Sequence, residues 1–175
     1  MDTYGRLGRT GDRWQLTFER RLAHPPERVW RAITEPEHLA AWFPAAIEGE
    51  WEAGAALRFV MPQDEAPDTE GEMLVYDPPR ALEYRWGEET LRFDLRPDGD
   101  GCVLTFVNAL DELGQAARDA AGWHVCLDLL GCHLAGQGAG WNPGDHWKEV
   151  HPGYVARFGP EASTIGPPDW YPLSE

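Results

Sequence analysis

Side chains that could do chemistry concentrate in one stretch of this sequence, between residues 116 and 136. Asp119 lies at helical spacing from Trp123 and Cys126, so its carboxyl falls on an otherwise apolar stripe. A carboxyl in such surroundings can orient a ligand, or act as a base with a raised pKa. The alternative is that Asp119 lies in the first turn of a helix and interacts with the helix dipole from solvent. The sequence leaves both interpretations open.

His124 and Asp128 are four residues apart in the same stretch, so they can form a hydrogen bond on one side of a helix. We expect a side-chain pair at the surface or edge of the helix. The alternative is a dyad in which His124 is the acid or base, although the sequence offers no nucleophile beside it. Asp119 and His124 are therefore the catalytic candidates, and no complete catalytic set is predicted.

Neither a metal site nor a cofactor is predicted. Cys126 and His133 face the same way but are seven residues apart, about 10 Å along a helix, which is too far for one ion. His146 and His151 are five residues apart, and no further metal ligands accompany them at a suitable spacing in the sequence. Nothing basic lies at helical spacing from Cys126, so we expect a small core hydrophobe rather than a reactive thiol. The sequence has no phosphate-binding loop, no G-x-S-x-G elbow and no dinucleotide fingerprint.

Charge and composition limit the kinds of partner that we expect this protein to bind. The 175 residues carry 30 acidic and 15 basic side chains, a formal charge of −15. Such a field repels phosphate backbones and anionic lipids, which argues against nucleic-acid and membrane partners. The chain has no run of about 18 apolar residues and no apolar signal core at its N-terminus. The three cysteines are an odd number and are not spaced as in a disulfide framework, which favours reduced thiols and a cytoplasmic location.

Hydrophobic periodicity predicts the elements that hold these residues. We expect a flexible arm at residues 1–12 and six strands, the first at residues 13–22 and the other five between residues 55 and 107. The motif PDGDG indicates a tight hairpin before the last strand, because Asp-Gly tolerates positive φ values. The period then changes to 3.6, and one helix of about twenty residues begins at Ala116.

Two short helices are predicted between residues 25 and 43. A proline suits the first turn of each helix, where no backbone N–H is needed. Thr34 and Glu37 have the spacing of a capping box for the second helix. Trp30 and Trp42 would then point inward at the corner that the two helices form.

Residues 137–175 are predicted to be an extension of a single domain that spans residues 13–136. The extension is rich in glycine and proline but keeps several aromatic residues, including Trp170 and Tyr171. Disordered tails are usually poor in aromatics, so we expect the extension to lie on the domain, with a short helix near residues 145–158. A contact in a homodimer is the alternative, so the chain is expected to be a monomer or a homodimer.

Three segments carry a family resemblance, PPERVWRAITEPEHLAAWF (25–43), GEMLVYDPPRALEYRW (71–86) and GWHVCLDLLGCHLAG (122–136). Together with the ending YVARFG (154–159), they resemble the SRPBCC superfamily of START-like and birch-pollen-allergen-like helix-grip domains. Within it, the chain is similar to the branch of homologues of the activator of the heat-shock chaperone ATPase. Element order and resemblance together imply an α+β helix-grip fold. Its curved antiparallel sheet would have about six to seven strands, with two short helices after the first strand and a long C-terminal helix across the sheet enclosing a cavity.

The resemblance implies a pocket between the long helix and the sheet. The same side chains would also make a solid core, so an open cavity and a filled one remain alternatives. Asp119, Arg58 or Tyr84 would orient a ligand, and the acidic stretch PQDEAPDTEGE would be a solvated loop or a lid over the pocket. The predicted lining residues are Trp42, Phe43, Phe59, Met73, Tyr84, Trp86, Phe93, Asp119, Trp123, Cys126, Leu127 and Leu130.

Three functions are compatible with these sequence features. The favoured one is binding of a small apolar or amphipathic molecule without a catalytic set or a cofactor, because apolar pockets with a few polar groups are the usual small-molecule sites. The second is a cyclase-like or hydrolase-like enzyme that uses Asp119 or His124 in the same cavity. The third is a regulator of a chaperone ATPase, or another protein-interaction module, as the name of the branch suggests.

Overall fold

The chain forms one antiparallel sheet covered by helices. A computed structural model describes residues 2–62 and 66–166. Part of the expected acidic loop, and Trp170 and Tyr171 of the extension, lie outside the described residues. The strands are β1 (Arg6–Thr10), β2 (Arg13–Leu22), β3 (Ala46–Gly49), β4 (Ala56–Val60), β5 (Thr69–Asp77), β6 (Ala81–Trp86), β7 (Glu89–Asp98) and β8 (Gly101–Ala109).

Two short helices follow β2, and a long helix and a further helix follow β8. Prolines begin both short helices at the positions where a helix needs no N–H donor. Among the described residues, no helix is long and apolar enough to cross a membrane. The helices are α1 (Pro26–Thr34), α2 (Pro36–Leu39), α3 (Ala116–Leu134) and α4 (Pro143–Phe158), with 3₁₀ turns at Leu113–Gln115 and Pro160–Ser163.

The sheet order is β1-β2-β8-β7-β6-β5-β4-β3, and every neighbouring pair is antiparallel. This topology, with the long helix α3 at the end of the strand series, confirms the α+β helix-grip prediction. The described part of the sheet has eight strands rather than six to seven. The two additional strands, β1 and β3, are short edge strands whose sequences do not alternate clearly between apolar and polar residues.

The predicted capping box between Thr34 and Glu37 is wrong. Thr34 is the last residue of α1, and its hydroxyl donates to the carbonyl of Trp30 at 2.7 Å instead of capping α2. Helical threonines often bond the carbonyl one turn back, because that acceptor lies within reach of the side chain. The corner is held by Trp42, whose indole Nε1–H donates to the carbonyl of Ala32 at 2.9 Å.

The prediction of a flexible arm at residues 1–12 is also wrong for most of that segment. A turn through Gly11, which has a φ of 61°, lets β1 fold back on β2 with Thr10 opposite Arg13. Ahead of β1, the N–H of Gly5 donates to the hydroxyl of Tyr154 at 2.8 Å. The N-terminal segment is therefore a strand of the sheet along Arg6–Thr10 and is also bonded to α4 through Gly5.

Residues 137–166 of the extension belong to the same packed unit as the rest of the chain. The helix α4 covers the segment near residues 145–158 for which a short helix is predicted. Its buried residues Trp147, Val150 and Tyr154 join the core that lies between α3 and the sheet. The chain segment after α3 can therefore contribute to any site beside that helix.

Candidate functional site

A cleft of about 590 Å³ opens between α3, the β6–β7 hairpin and the segment that follows α2. Its volume falls within the range of roughly 300–1,000 Å³ that small-molecule sites occupy. Most of its lining is apolar. The lining residues are Ala40, Ala41, Trp42, Phe43, Pro44, Met61, Thr69, Trp86, Glu89, Leu91, Arg118, Asp119, Gly122, Trp123, Val125, Cys126, Leu129, Pro143 and Trp147.

Three aromatic rings form one wall of the cleft. The Phe43 ring centroid lies 5.6 Å from that of Trp86 and 5.8 Å from that of Trp123, and the two indoles are 6.5 Å apart. Tilted and edge-on contacts at these separations are favourable because the edge of one ring meets the face of another. The three rings therefore pack against one another as one continuous surface.

Half of the predicted lining residues do not reach the cleft. They are nearly or fully buried, and they fill the space between α3 and the sheet with rings and aliphatic groups. The interior of the fold is thus a solid core, and the open volume lies beside it. Arg58 points to the opposite face, where it pairs with Asp68. The six lining candidates in the core are Phe59, Met73, Tyr84, Phe93, Leu127 and Leu130.

The other six candidates, Trp42, Phe43, Trp86, Asp119, Trp123 and Cys126, all line the cleft. Sequence patterns did not identify Glu89, Arg118, Pro143 or Trp147, which line it as well. A signal for Glu89 was present, because it precedes Leu91 by two residues on the inward face of the strand. No comparable signal predicts that α4 returns to α3 and brings Pro143 and Trp147 into the lining of the cleft.

Two carboxyl groups in the cleft are joined by one amide. The side-chain nitrogen of Gln115 donates to Glu89 Oε2 at 2.6 Å and to Asp119 Oδ2 at 2.8 Å. Glu89 begins β7, directly opposite Trp86 across the hairpin, and Asp119 lies one helical turn after Gln115. The hairpin and the start of α3 therefore bring the two acids together from distant parts of the sequence.

The remaining oxygens of these acids also accept hydrogen bonds. Asn108 Nδ2 donates to Glu89 Oε1 at 3.0 Å, and Arg118 Nε donates to Asp119 Oδ1 at 2.8 Å. The Trp123 indole in turn donates to Asn108 Oδ1 at 3.2 Å. We call Asn108, Glu89, Gln115, Asp119 and Arg118 the carboxyl network. The network fixes both acids and also orients the Trp123 ring of the wall.

The surroundings of both acids raise their pKa values above the ordinary ones. Burial, followed by the neighbouring charge of Asp119, raises the pKa of Glu89 against the opposing effect of its amide donors. Burial also raises the pKa of Asp119, and the contact with Arg118 offsets this only partly. Carboxyls of this kind can accept a hydrogen bond from a ligand, bind a cation or exchange a proton.

Cys126 has no features of a nucleophile. It lines the cleft, and burial raises the pKa of its thiol to about 12. The thiolate is the reactive form of cysteine, and it is scarce at neutral pH when the pKa is so high. Cys126 therefore contributes apolar surface to the cleft.

The predicted surface pair of His124 and Asp128 is part of a cluster beneath α4. His124 is buried, and its Nε2 lies 3.4 Å from Asp128 Oδ2, while His146 Nε2 lies 2.7 Å from the same oxygen. His124 Nδ1 is 2.7 Å from the hydroxyl of Tyr154. The two side chains are thus neighbours as expected, but His124 is buried rather than at the surface or edge of the helix, because α4 covers this side of α3.

The arrangement of this cluster fits a structural ion-pair network. Possible ligand atoms of His124, Asp128 and His146 lie within 4.8 Å of one another. However, Arg20 Nη1 donates to Asp128 Oδ1 at 2.6 Å, which places a positive charge against the carboxylate that a metal ion would need. The cluster connects β2, α3 and α4, and none of its members lines the cleft.

A sheet with a long helix packed across it and a cleft beside that helix defines a helix-grip domain, a fold that is compatible with binding small ligands. The chain belongs to the family described as Activator of Hsp90 ATPase homolog 1-like protein, within the SRPBCC superfamily, and the family model matches residues 23–135. The match ends just after α3, so α4 lies beyond it.

Solved structures share this fold. CalU16 from Micromonospora echinospora has 24% identity and a TM-score of 0.74, with 90% of this chain and 99% of that chain covered. A conserved protein of unknown function from Enterococcus faecalis, EF2215, has 21% identity and a TM-score of 0.72, with 87% and 89% covered. The BPP1335 protein of Bordetella parapertussis has 26% identity and a TM-score of 0.66, with 90% and 93% covered. Among curated protein sequences, no match was found.

Proposed function

We propose that this protein binds a small hydrophobic or amphipathic molecule in the cleft beside α3. The observation that carries the proposal is an apolar cleft of about 590 Å³ with an aromatic wall and two partly buried carboxyls. Apolar lining with a few fixed polar groups is the usual composition of a small-molecule site. The ligand would lie against Trp86 and Trp123 and direct its polar end toward the carboxyl network.

The affinity would come from apolar contact with a wall whose rings pack against one another and against the core. Each Å² of apolar surface removed from water contributes about 25 cal/mol, and rings that neighbouring side chains hold in place lose little entropy when a ligand binds. Phe43 and Trp42 are held by the core behind them. The polar groups would then fix the orientation of the ligand more than its affinity.

Two glycines of α3 allow a sharp test. A Cβ added at Gly122 or at Gly131 would meet no heavy atom within 4 Å, but only Gly122 lines the cleft. We expect Gly122→Phe to fill the cleft and to abolish binding of N-phenyl-1-naphthylamine, an uncharged apolar dye whose fluorescence rises on burial. The matched variant Gly131→Phe should bind the dye as the wild-type protein does.

Native mass spectrometry of gently purified protein provides a second measurement, since a retained ligand adds mass to the folded chain. We expect the added mass in the wild-type protein and in Gly131→Phe, and its loss in Gly122→Phe. If the wild-type protein binds no dye, carries no added mass and shows no thermal shift with lipids or aromatic metabolites, the proposal is wrong.

Acid–base catalysis in the same cleft is a second candidate. It is favoured by the two carboxyls whose pKa values are raised by burial, because a base or acid is most effective when its pKa approaches the working pH. If a compound that binds in the cleft is converted, Asp119→Asn should abolish its conversion while the circular dichroism spectrum stays unchanged. An unaltered rate in that variant would exclude Asp119 from the chemistry.

A further inference from the structure

We propose that the ligand of the cleft carries a protonated amine, and that this group binds at Glu89, the member of the carboxyl network that is paired with Trp86 of the aromatic wall. The inference rests on the proposed function, because it specifies the chemistry of the molecule that the cleft accepts. The inference follows from the charged groups that line the cleft, because one carboxyl group has a cationic partner there and the other does not.

Glu89 has no cationic partner among the described residues. Both of its oxygens accept hydrogen bonds, but the donors are the neutral amides of Asn108 and Gln115. Neutral donors fix the carboxylate in place without cancelling its charge. Such a group is suited to a cation that arrives with the ligand, because a carboxylate is most stable in partly buried surroundings when a positive charge is near.

Asp119 differs from Glu89 in this respect, because Arg118 already supplies its counter-charge at 2.8 Å. Among the described residues, the charged groups that line the cleft are, when ionised, two carboxylates and one guanidinium, with one negative charge in excess. This excess negative charge would repel an anionic ligand, whereas a ligand with a single positive charge would neutralise it. The formal charge of −15 for the whole chain acts in the same direction over longer distances.

The aromatic wall suits the same group. Trp86 is the cross-strand neighbour of Glu89 at the end of the hairpin, and both line the cleft, so an ammonium bound to Glu89 would lie near the indole. Cations are attracted to the faces of aromatic rings, and tryptophan provides the strongest attraction. The apolar body of the ligand would extend along Trp123 toward Gly122.

The test compares three probes of equal chain length, octylamine, octanol and octanoate, by their displacement of N-phenyl-1-naphthylamine at about pH 7, where alkylamines are protonated. We expect the amine to bind at least about tenfold more tightly than the alcohol, as is typical of a hydrogen bond between charged groups, and the carboxylate to bind most weakly. The amine should fail to bind to Gly122→Phe. This comparison uses the wild-type protein and does not depend on the folding of a carboxyl variant.

The residue assignment is tested by Glu89→Gln against Glu88→Gln, which removes the same charge at the adjacent, exposed position. We expect the first variant to reduce the preference for amine over alcohol to less than about threefold, and the second to keep the full preference. A folded Glu89→Gln protein that retains the preference would overturn the inference. So would a wild-type protein that binds octanol as tightly as octylamine, although the proposed function would then stand. Failure of the dye and of all three probes to bind would overturn both.

Discussion

Phe59 of β4 and Trp86 of β6 stack with their ring centroids 4.6 Å apart and their planes inclined by only 6°. Trp86 lines the cleft, whereas Phe59 is fully buried in the core. The wall of the cleft thus continues directly into the packed interior. Its shape depends on core residues that no ligand in the cleft would touch.

We expect Phe59→Ala to lower the free energy of unfolding by about 3–5 kcal/mol, the usual effect of removing a buried ring. The affinity for the apolar dye should fall as well, because Trp86 loses the ring against which it stacks. Urea unfolding and dye titration measure the two effects. The control is Leu74→Ala on the exposed face of β5, which should change stability by less than about 0.5 kcal/mol. Unchanged dye binding in a destabilised Phe59→Ala protein would show that the wall does not need this support.

Two buried tyrosines should respond in opposite ways to loss of the hydroxyl. The hydroxyl of Tyr84 has no hydrogen-bond partner among the described residues, whereas that of Tyr154 bonds Gly5 N–H and His124 Nδ1. A buried polar group without a partner costs about 1–3 kcal/mol, so Tyr84→Phe should raise the free energy of unfolding by about 1 kcal/mol. Tyr154→Phe should lower it by a similar amount or more. Thermal or urea unfolding measures both, and a destabilised Tyr84→Phe would show that the hydroxyl is paired.

The cluster around Asp128 predicts a pH dependence of stability. Burial alone would raise the pKa of Asp128, but its bonds with His124, His146 and Arg20 together hold the pKa well below the ordinary value. A lowered pKa in the folded state means that the ionised carboxyl stabilises the fold above the unfolded-state pKa of about 3.9, and that this contribution is lost as the pH falls further. Asp128→Asn should therefore cost about 3 kcal/mol near pH 7, since it leaves Arg20 unpaired, and progressively less below about pH 4.

The control for this experiment is Asp77→Asn, which breaks the exposed pair of Asp77 with Arg80. Exposed ion pairs contribute little, so its unfolding profile should follow the wild-type profile across the whole pH range. If the two aspartate variants behave alike near pH 7, the cluster beneath α4 does not stabilise the fold.

Two glycines near the N-terminus differ in their surroundings, because one is closely packed and the other has open space beside it. A Cβ at Gly5 would lie 2.5 Å from the Phe18 ring, whereas one at Gly8 would meet nothing within 4 Å. We expect Gly5→Ala to lower the free energy of unfolding by about 1–3 kcal/mol through overpacking, and Gly8→Ala to change it by less than about 0.5 kcal/mol. Equal stabilities of the two variants would show that the N-terminal segment is not packed against β2 as described.

Local patterns were sufficient to predict the strands and helices with strong periodicity. The strands β2 and β4–β8 alternate clearly, and α3 begins at Ala116, where the period changes from 2 to 3.6. The edge strands β1 and β3 were missed because an edge strand packs few side chains, so its sequence does not need the alternation. The N-terminal strand depends on a turn at Gly11 and on Tyr154, which lies far away in the sequence.

The site is only partly predictable from the sequence, because it also depends on contacts between residues that are far apart in the chain. Helical spacing alone placed Asp119 beside Trp123 and Cys126, and these residues line the cleft. The partnership of Glu89 with Asp119 depends on the way α3 meets the β6–β7 hairpin, which is a tertiary contact without a local signature. Six large side chains predicted to surround a cavity pack against one another instead, because a sequence of apolar residues does not reveal whether the space between them is filled.

Pro143 and Trp147 line the cleft from a helix that starts after the family model has ended at residue 135. The sheet and α3 belong mostly to the part of the chain that the family model matches, whereas part of the cleft lining comes from α4, which follows it. Selectivity for the proposed ligand can therefore be tested by redesigning the segment after α3, with the hydrophobic core left as it is. Substitutions between residues 137 and 158 would change the lining that Pro143 and Trp147 provide and leave the strands and α3 unaltered.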